Sequence, residues 1–149
     1  MKVFESHYAF LAFNDKYELY ANCEYVYLKD RTLINYQQEY DKRDICIAWV
    51  YGNPTGALIV EDVVIIAGFG INLYHIKTKK EITFFEKEDN KMFTWGLHQY
   101  VQGYSDDDLF SEVRFFSHCD NNIDKVCLYK FDFLTEKLTK MAVLDEVTN

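Results

Sequence analysis

Proline and cysteine are scarce in this chain of 149 residues, with one proline and four cysteines. The cysteines stand at positions 23, 46, 119 and 127 and form no Cys-x-x-Cys pair. This spacing is not the one that structural zinc sites use. We therefore expect no metal site, and we expect thiols that pack as small apolar side chains in a reducing compartment.

Long apolar runs are also missing. The longest, such as residues 63–67, are far too short to cross a bilayer. The first five residues lack the basic start and continuous apolar stretch of a secretory signal. The sequence therefore predicts a cytoplasmic protein that does not enter a membrane.

Basic residues are fewer than acidic residues. The chain has 16 Lys and Arg against 24 Asp and Glu, which gives a net charge of −8. Such a field repels a polyanion such as RNA and attracts a basic protein. We therefore expect a basic protein partner and no nucleic acid. The alternative is that the charge only keeps the protein soluble.

Catalytic signatures are missing as well. The sequence contains no G-x-S-x-G, H-E-x-x-H or phosphate-binding loop pattern. His118, Cys119 and Asp120 are consecutive, and neighbours on a strand point to opposite faces, so they do not predict a triad. We expect no catalytic residues, no cofactor and no enzyme activity. A small hydrolase that uses a carboxylate pair is a less favoured alternative.

Aromatic residues are plentiful, at 17% of the chain, and they share short runs with β-branched residues. Such runs, bounded by turn residues, are typical of β-strands. One unit occurs three times: a strand with a tyrosine, a charged turn with a threonine, and a second strand. The tyrosines stand at positions 27, 74 and 129, so they are 47 and 55 residues apart. Trp49 and Trp95 lie 46 residues apart, and a propeller blade spans about 40–50 residues.

The repeats predict one all-β domain of three units, at residues 1–43, 44–90 and 91–149. Because closed propellers need at least about four blades, we expect a partial, about three-blade, propeller-like stack of antiparallel sheets. Residues 33–36 are predicted to close the first unit, and the strand at 45–51 to open the second. Near-continuous apolarity over 57–67 predicts a sheet that is covered on both faces. A β-sandwich or distorted barrel is the alternative.

An acidic insertion at residues 102–108 follows the strand with Trp95 that opens the third unit. Carboxylates beside large aromatic rings suit a surface that binds a basic protein, since rings supply contact area and charges speed encounter. A solvated turn is the alternative. The residues predicted to contact the partner are Tyr104, Asp106, Asp107 and Asp108, with Glu61 and Asp62 from a separate acidic turn.

The hairpins at 73–85 and 128–144, together with the acid-rich loops, resemble bacterial toxin-immunity proteins. The closest resemblance is to those of contact-dependent growth inhibition systems, and it spans the whole chain. It implies a cytoplasmic inhibitor that binds one cognate nuclease toxin, often over the active site. Two other roles stay open: a general propeller-like protein-interaction scaffold, and a subunit that dimerises through its open terminal sheets.

Overall fold

The computed structural model describes residues 8–86, 91–99, 111–119 and 122–144, and these residues form β-strands and turns. In these ranges, no helix is long and apolar enough to cross a membrane. The strands are β1 (Tyr8–Phe13), β2 (Tyr17–Asn22), β3 (Tyr25–Asp30), β4 (Ile45–Trp49), β5 (Gly56–Val60), β6 (Val63–Ala67), β7 (Ile71–His75), β8 (Lys80–Phe84), β9 (Thr94–Gln99), β10 (Glu112–Cys119), β11 (Asn122–Asp132) and β12 (Lys137–Leu144).

The strands form three four-stranded antiparallel sheets, each of which takes four consecutive strands in chain order. Within the described residues, none of these sheets closes into a barrel. β1 contacts β5, and β5 contacts β9, so the first strands of successive sheets are neighbours. This arrangement is that of propeller blades. The predicted all-β, propeller-like stack is confirmed.

The second sheet lies between the other two and is covered on both faces. One face contributes Ile65, Ala67, Ile71 and Leu73 to a core shared with the third sheet. The opposite face contributes residues such as Val64 and Ile66 to a core shared with the first sheet. Both faces of β6 are therefore buried, as the apolar run over 57–67 predicted.

The three repeated tyrosines occupy equivalent places. Tyr27, Tyr74 and Tyr129 lie on β3, β7 and β11, the third strand of each sheet. The tryptophans do not repeat in this way. Trp49 ends the fourth strand of the first sheet, whereas Trp95 lies on the first strand of the third sheet. The 46-residue interval between them therefore marks no equivalent position.

The strand predicted at 33–36 is wrong, because this segment forms turns. The Asp30 carboxylate accepts hydrogen bonds from the Thr32 amide at 2.9 Å and hydroxyl at 2.5 Å, which bends the chain away from β3. The Arg43 side chain then donates to the Ile34 carbonyl at 2.7 Å. The fourth strand is instead β4, so the first sheet extends past the predicted boundary at residue 43.

Residues 31–44 lie across the outer face of the first sheet and are held there by a buried ion pair. The Lys29 ammonium is 3.0 Å from the Asp44 carboxylate, and these side chains are only 3% and 4% exposed. Lys29 also donates to the Gln38 carbonyl at 2.6 Å. The Tyr20 hydroxyl donates to Asp44 at 2.6 Å. The segment thus covers a sheet face that has no neighbouring sheet among the described residues.

The expectation of buried thiols is wrong for two cysteines. Cys23 and Cys46 are free and exposed, because Cys23 lies in the β2–β3 turn with a φ of 54° and Cys46 lies on the edge strand β4. Cys127 is fully buried in the core of the third sheet and is disulfide-bonded. It is therefore apolar in its surroundings but is not a free thiol.

Candidate functional site

The acidic residues predicted to bind the partner are only partly visible in the structure. Glu61 and Asp62 form the tight turn between β5 and β6, where Glu61 has a φ of 55°. The Asp62 carboxylate lies 3.1 Å from the Lys77 ammonium in an exposed pair. Part of its charge is therefore offset locally. Tyr104, Asp106, Asp107 and Asp108 lie outside the described residues.

The two ends of the sheets carry different chemistry. We call the end with the Glu61–Asp62 turn the acidic end. β6 has five residues and leads from this turn to Gly68, so at about 3.3 Å per residue the opposite end is about 17 Å away. Val113 pairs with Gln99 at the far end of β9, so the residues that border the acidic insertion also lie at the acidic end.

Five aromatic residues meet at the opposite end, and we call them the aromatic cluster. The Tyr51 ring centroid lies 6.2 Å from Trp49 and 5.5 Å from Phe69. Phe69 in turn lies 5.1 Å from Phe85 and 5.4 Å from Phe93, with its ring edge-on to both. Trp49, Tyr51 and Phe93 are 56%, 46% and 41% exposed. Large rings that are packed together and still half exposed are a common feature of binding surfaces.

A glycine turn places Phe69 in the cluster. Gly68 and Gly70 flank it with φ angles of 148° and 63°. Residues that carry a Cβ atom rarely adopt such angles. A Cβ atom on Gly70 would lie 2.5 Å from the Phe84 carbonyl oxygen. The backbone can therefore approach β8 only because residue 70 has no side chain.

Thr94 fixes this turn against the third sheet. Its buried hydroxyl accepts a hydrogen bond from the Gly68 amide at 2.7 Å and donates one to the Gly70 carbonyl at 2.8 Å. Its carbonyl accepts a bond from the Thr55 hydroxyl at 2.8 Å. Since these hydrogen bonds tie the turn to β9 and to Thr55, Phe69 rests on a rigid support.

Glu24 fixes Trp49. One carboxylate oxygen of Glu24 accepts a hydrogen bond from the Trp49 indole at 3.0 Å, and the other accepts one from the Gly52 amide at 2.8 Å. The carboxylate therefore orients the most exposed ring of the cluster and places a negative charge beside it. Phe93 packs against Gly52, since a Cβ atom there would lie 3.3 Å from its ring.

The cluster surrounds an open cavity of about 190 Å³ that Asn72 and Thr83 line with the rings of Trp49, Tyr51, Phe69 and Phe85. The Thr83 hydroxyl donates to the Asn72 side-chain oxygen at 2.6 Å. The Asn72 amide group donates to the Phe69 carbonyl at 3.3 Å. The cavity is therefore lined by four aromatic rings and by one pair of polar side chains that are hydrogen-bonded to each other.

Histidines elsewhere have partners that fit structural roles. His98 Nδ1 lies 2.8 Å from the Gly96 carbonyl, and the His118 ring lies 4.9 Å from the Trp95 ring. Among the described residues, no group of three or more His, Cys, Asp and Glu side chains could hold a metal ion. The aromatic cluster is therefore the feature of the described chain that is best suited to bind a partner.

Sequence reasoning missed this cluster because its members come from four separate segments of the chain. A local signal was present: Phe69 stands between two glycines, and Trp49 and Tyr51 come just before the turn with the single proline. Aromatic residues beside such turns are exposed more often than those inside strands. A search for known relatives adds nothing to this geometry, since no protein-family model and no curated protein matches the chain.

Proposed function

We propose that this protein binds a basic protein partner through the aromatic cluster and carries out no reaction itself. The observation that carries the proposal is the exposure of Trp49, Tyr51 and Phe93 in one rigidly supported patch. Clustered aromatic anchors dominate the energetics of protein interfaces because they bury large areas at low entropic cost. Their exposure in the isolated chain stabilises nothing, so a partner that covers them gains that burial.

The net charge of −8 supports a basic partner. An acidic surface speeds the encounter with a cationic protein and repels nucleic acid, and both effects weaken as salt is added. The partner we propose is a cognate toxin of a bacterial contact-dependent growth inhibition system, as the resemblance of the hairpins and acidic loops suggests. Nucleases have cationic clefts, which the aromatic cluster with the Glu24 carboxylate beside Trp49 can contact while the net charge speeds the encounter.

A cytoplasmic location is part of this proposal, because an immunity protein must meet the toxin inside the cell. The disulfide at Cys127 bears against it, since disulfides are rare in reducing compartments. The state of Cys127 in protein taken directly from cells therefore tests the location. A reduced thiol agrees with the cytoplasm, and a disulfide places the protein elsewhere.

The test uses the protein encoded by the upstream neighbouring reading frame, with surface plasmon resonance at low and high salt. We expect a saturable complex whose association slows as salt is added. Trp49→Ala should weaken it by about tenfold or more, as truncation of an aromatic anchor does. The control is Leu134→Ala, which removes an apolar side chain of 62% exposure at the acidic end and should change affinity less than about twofold.

Two results would contradict the proposal. One is a partner that is acidic or that is a nucleic acid, because the charge argument then fails. The other is turnover of a substrate by the purified chain. Co-expression tests the proposal in cells: cells that make the toxin should survive only when this chain is present.

The acidic residues singled out in the sequence have a separate part in the proposal. Replacing Asp106, Asp107 and Asp108 by lysine should slow association and flatten its salt dependence. Asp62 is expected to contribute less because Lys77 pairs with it. If the association rate of the triple variant is unchanged, the insertion does not contribute to electrostatic attraction of the partner.

A general protein-interaction scaffold is the second candidate, and the aromatic cluster favours it equally. The two roles differ in the partner rather than in the surface. A scaffold binds proteins that are neither toxic nor basic, and its affinity changes little with salt because steering is absent. If the protein captures such a partner and Trp49→Ala abolishes the capture, the scaffold role is favoured over the immunity role.

A further inference from the structure

We infer that the cavity of the aromatic cluster receives an arginine side chain of the partner. The inference rests on the proposed function and adds to it the residue type that is recognised. It follows from the size of the cavity, from the charge around it and from the polar groups that line it, which are independent observations.

The size of the cavity suits one side chain. Its volume is about 190 Å³, whereas pockets for small-molecule ligands and cofactors usually measure about 300–1,000 Å³. The rings of Trp49 and Tyr51 at its mouth are half exposed, so a side chain on the surface of another protein can enter without a rearrangement of the strands. A single anchoring residue of a partner is therefore the occupant that fits.

The charge around the cavity favours a cation. Aromatic ring faces carry partial negative charge, and a guanidinium over a tryptophan face is attracted to it. Glu24 adds a full negative charge beside the Trp49 indole. Each Glu24 oxygen accepts one hydrogen bond from the chain and retains further acceptor capacity. The residues that line the cavity include no cation.

The polar residues that line the cavity favour a donor. The Thr83 hydroxyl gives its proton to Asn72, so the Thr83 oxygen keeps acceptor capacity for an entering group. Arginine brings five donors and no acceptor in a flat group that stacks between rings. Lysine brings a compact, strongly hydrated charge that stacks less well. Leucine would leave the acceptor and the Glu24 charge without any new contact.

The test is a nuclear magnetic resonance titration of the two tryptophan indole N–H groups with capped Gly-Arg-Gly peptide. The Trp49 signal should shift in a saturable way, and the Trp95 signal should not, since that ring lies against Phe116 and His118 on the third sheet. The matched peptide carries citrulline, which keeps the shape of arginine and removes its charge. Its affinity should be about two- to fivefold lower, the usual contribution of a cation–π contact at an exposed site.

Glu24→Gln provides the matched protein variant, because glutamine keeps the side-chain length and removes the charge. It should weaken binding of the arginine peptide severalfold and binding of the citrulline peptide less, because the glutamine amide loses the charge and accepts only one of the two hydrogen bonds that Glu24 accepts. Amide spectra that superpose on those of the parent chain will show that the fold is intact. Three results would each overturn the inference: the arginine and citrulline peptides bind equally well, a leucine peptide binds more tightly than the arginine peptide, or the Trp49 signal shows no saturable shift.

The two proposals can fail separately. If the toxin candidate binds and Trp49→Ala weakens it, but the arginine and citrulline peptides bind alike, the aromatic surface stands and arginine recognition falls. If arginine peptide binds at Trp49 but no basic protein does, the cavity chemistry stands and the proposed function falls.

Discussion

The buried pair of Lys29 and Asp44 gives the sharpest stability prediction. Asp44→Ala removes the carboxylate that lies 3.0 Å from the ammonium and that accepts the Tyr20 hydroxyl at 2.6 Å. Among the described residues, Lys29 then keeps only the Gln38 carbonyl as a hydrogen-bond partner, beside the Tyr20 ring at 5.6 Å, in a site where its side chain is 3% exposed. The variant therefore contains an uncompensated buried charge and an unpaired hydroxyl.

The expected loss is about 3–5 kcal/mol of unfolding free energy, the range found when one partner of a buried ion pair is removed. A domain of this size changes its midpoint temperature by about 2–4 °C per kcal/mol, so Asp44→Ala should melt on the order of 10 °C lower. Urea unfolding followed by circular dichroism measures the free energy, and thermal unfolding checks the temperature.

Two further variants test whether burial of the ion pair explains the loss. Asp62→Ala breaks an ion pair whose lysine and aspartate side chains are 79% and 41% exposed, and it should cost less than about 1 kcal/mol. The triple change of Tyr20→Phe, Lys29→Met and Asp44→Leu replaces the buried polar groups with apolar ones. It should recover most of the loss, because the desolvation cost disappears together with the pair. If Asp44→Ala costs no more than Asp62→Ala, the ion pair does not exist as a buried unit and the explanation fails.

Three further predictions concern the backbone, the tyrosines and the cysteines. Gly70→Ala should lose about 2–4 kcal/mol through a positive φ and contact with a backbone oxygen, whereas Gly56→Ala, with open space around it, should change stability little. Burial and the hydrogen bond to Asp44 raise the pKa of Tyr20 above its ordinary value of 10.0. Its stabilising contribution is therefore complete below pH 10 and declines as the pH rises further, so Tyr20→Phe should make the alkaline fall in stability shallower, by at most about 1.4 kcal/mol per pH unit. Alkylation of the native, unreduced protein should label the two exposed cysteines and spare Cys127, and labelled Cys127 would contradict its buried, bonded state.

Much of the fold could be predicted from local patterns. Short runs of aromatic and β-branched residues, bounded by turn residues, indicated the strands, since these side chains pack well on a pleated sheet. The uninterrupted apolar run over 57–67 predicted burial on both faces, which the two cores around the second sheet confirm. The tyrosine repeat marked the third strand of each sheet.

Predictions failed where contacts between distant residues override the local pattern. Residues 33–36 look like a strand, yet the Asp30 and Arg43 side chains hold them in turns. The exposed Ile34, at 81%, shows that apolarity alone did not decide its place. Trp49 looked like a repeat of Trp95 and instead ends an edge strand.

The sequence by itself determined the class of the protein: an acidic, strand-rich chain in repeated units, because composition and periodicity act locally and need no partner. The tertiary structure alone decided which aromatic residues remain exposed together. Trp49, Phe69 and Phe93 are far apart in the chain, and they meet only because the ends of β4 and β6 and the start of β9 converge when the three sheets stack. Burial is a property of that stacking, so no local pattern could separate the rings of the core from those of the surface.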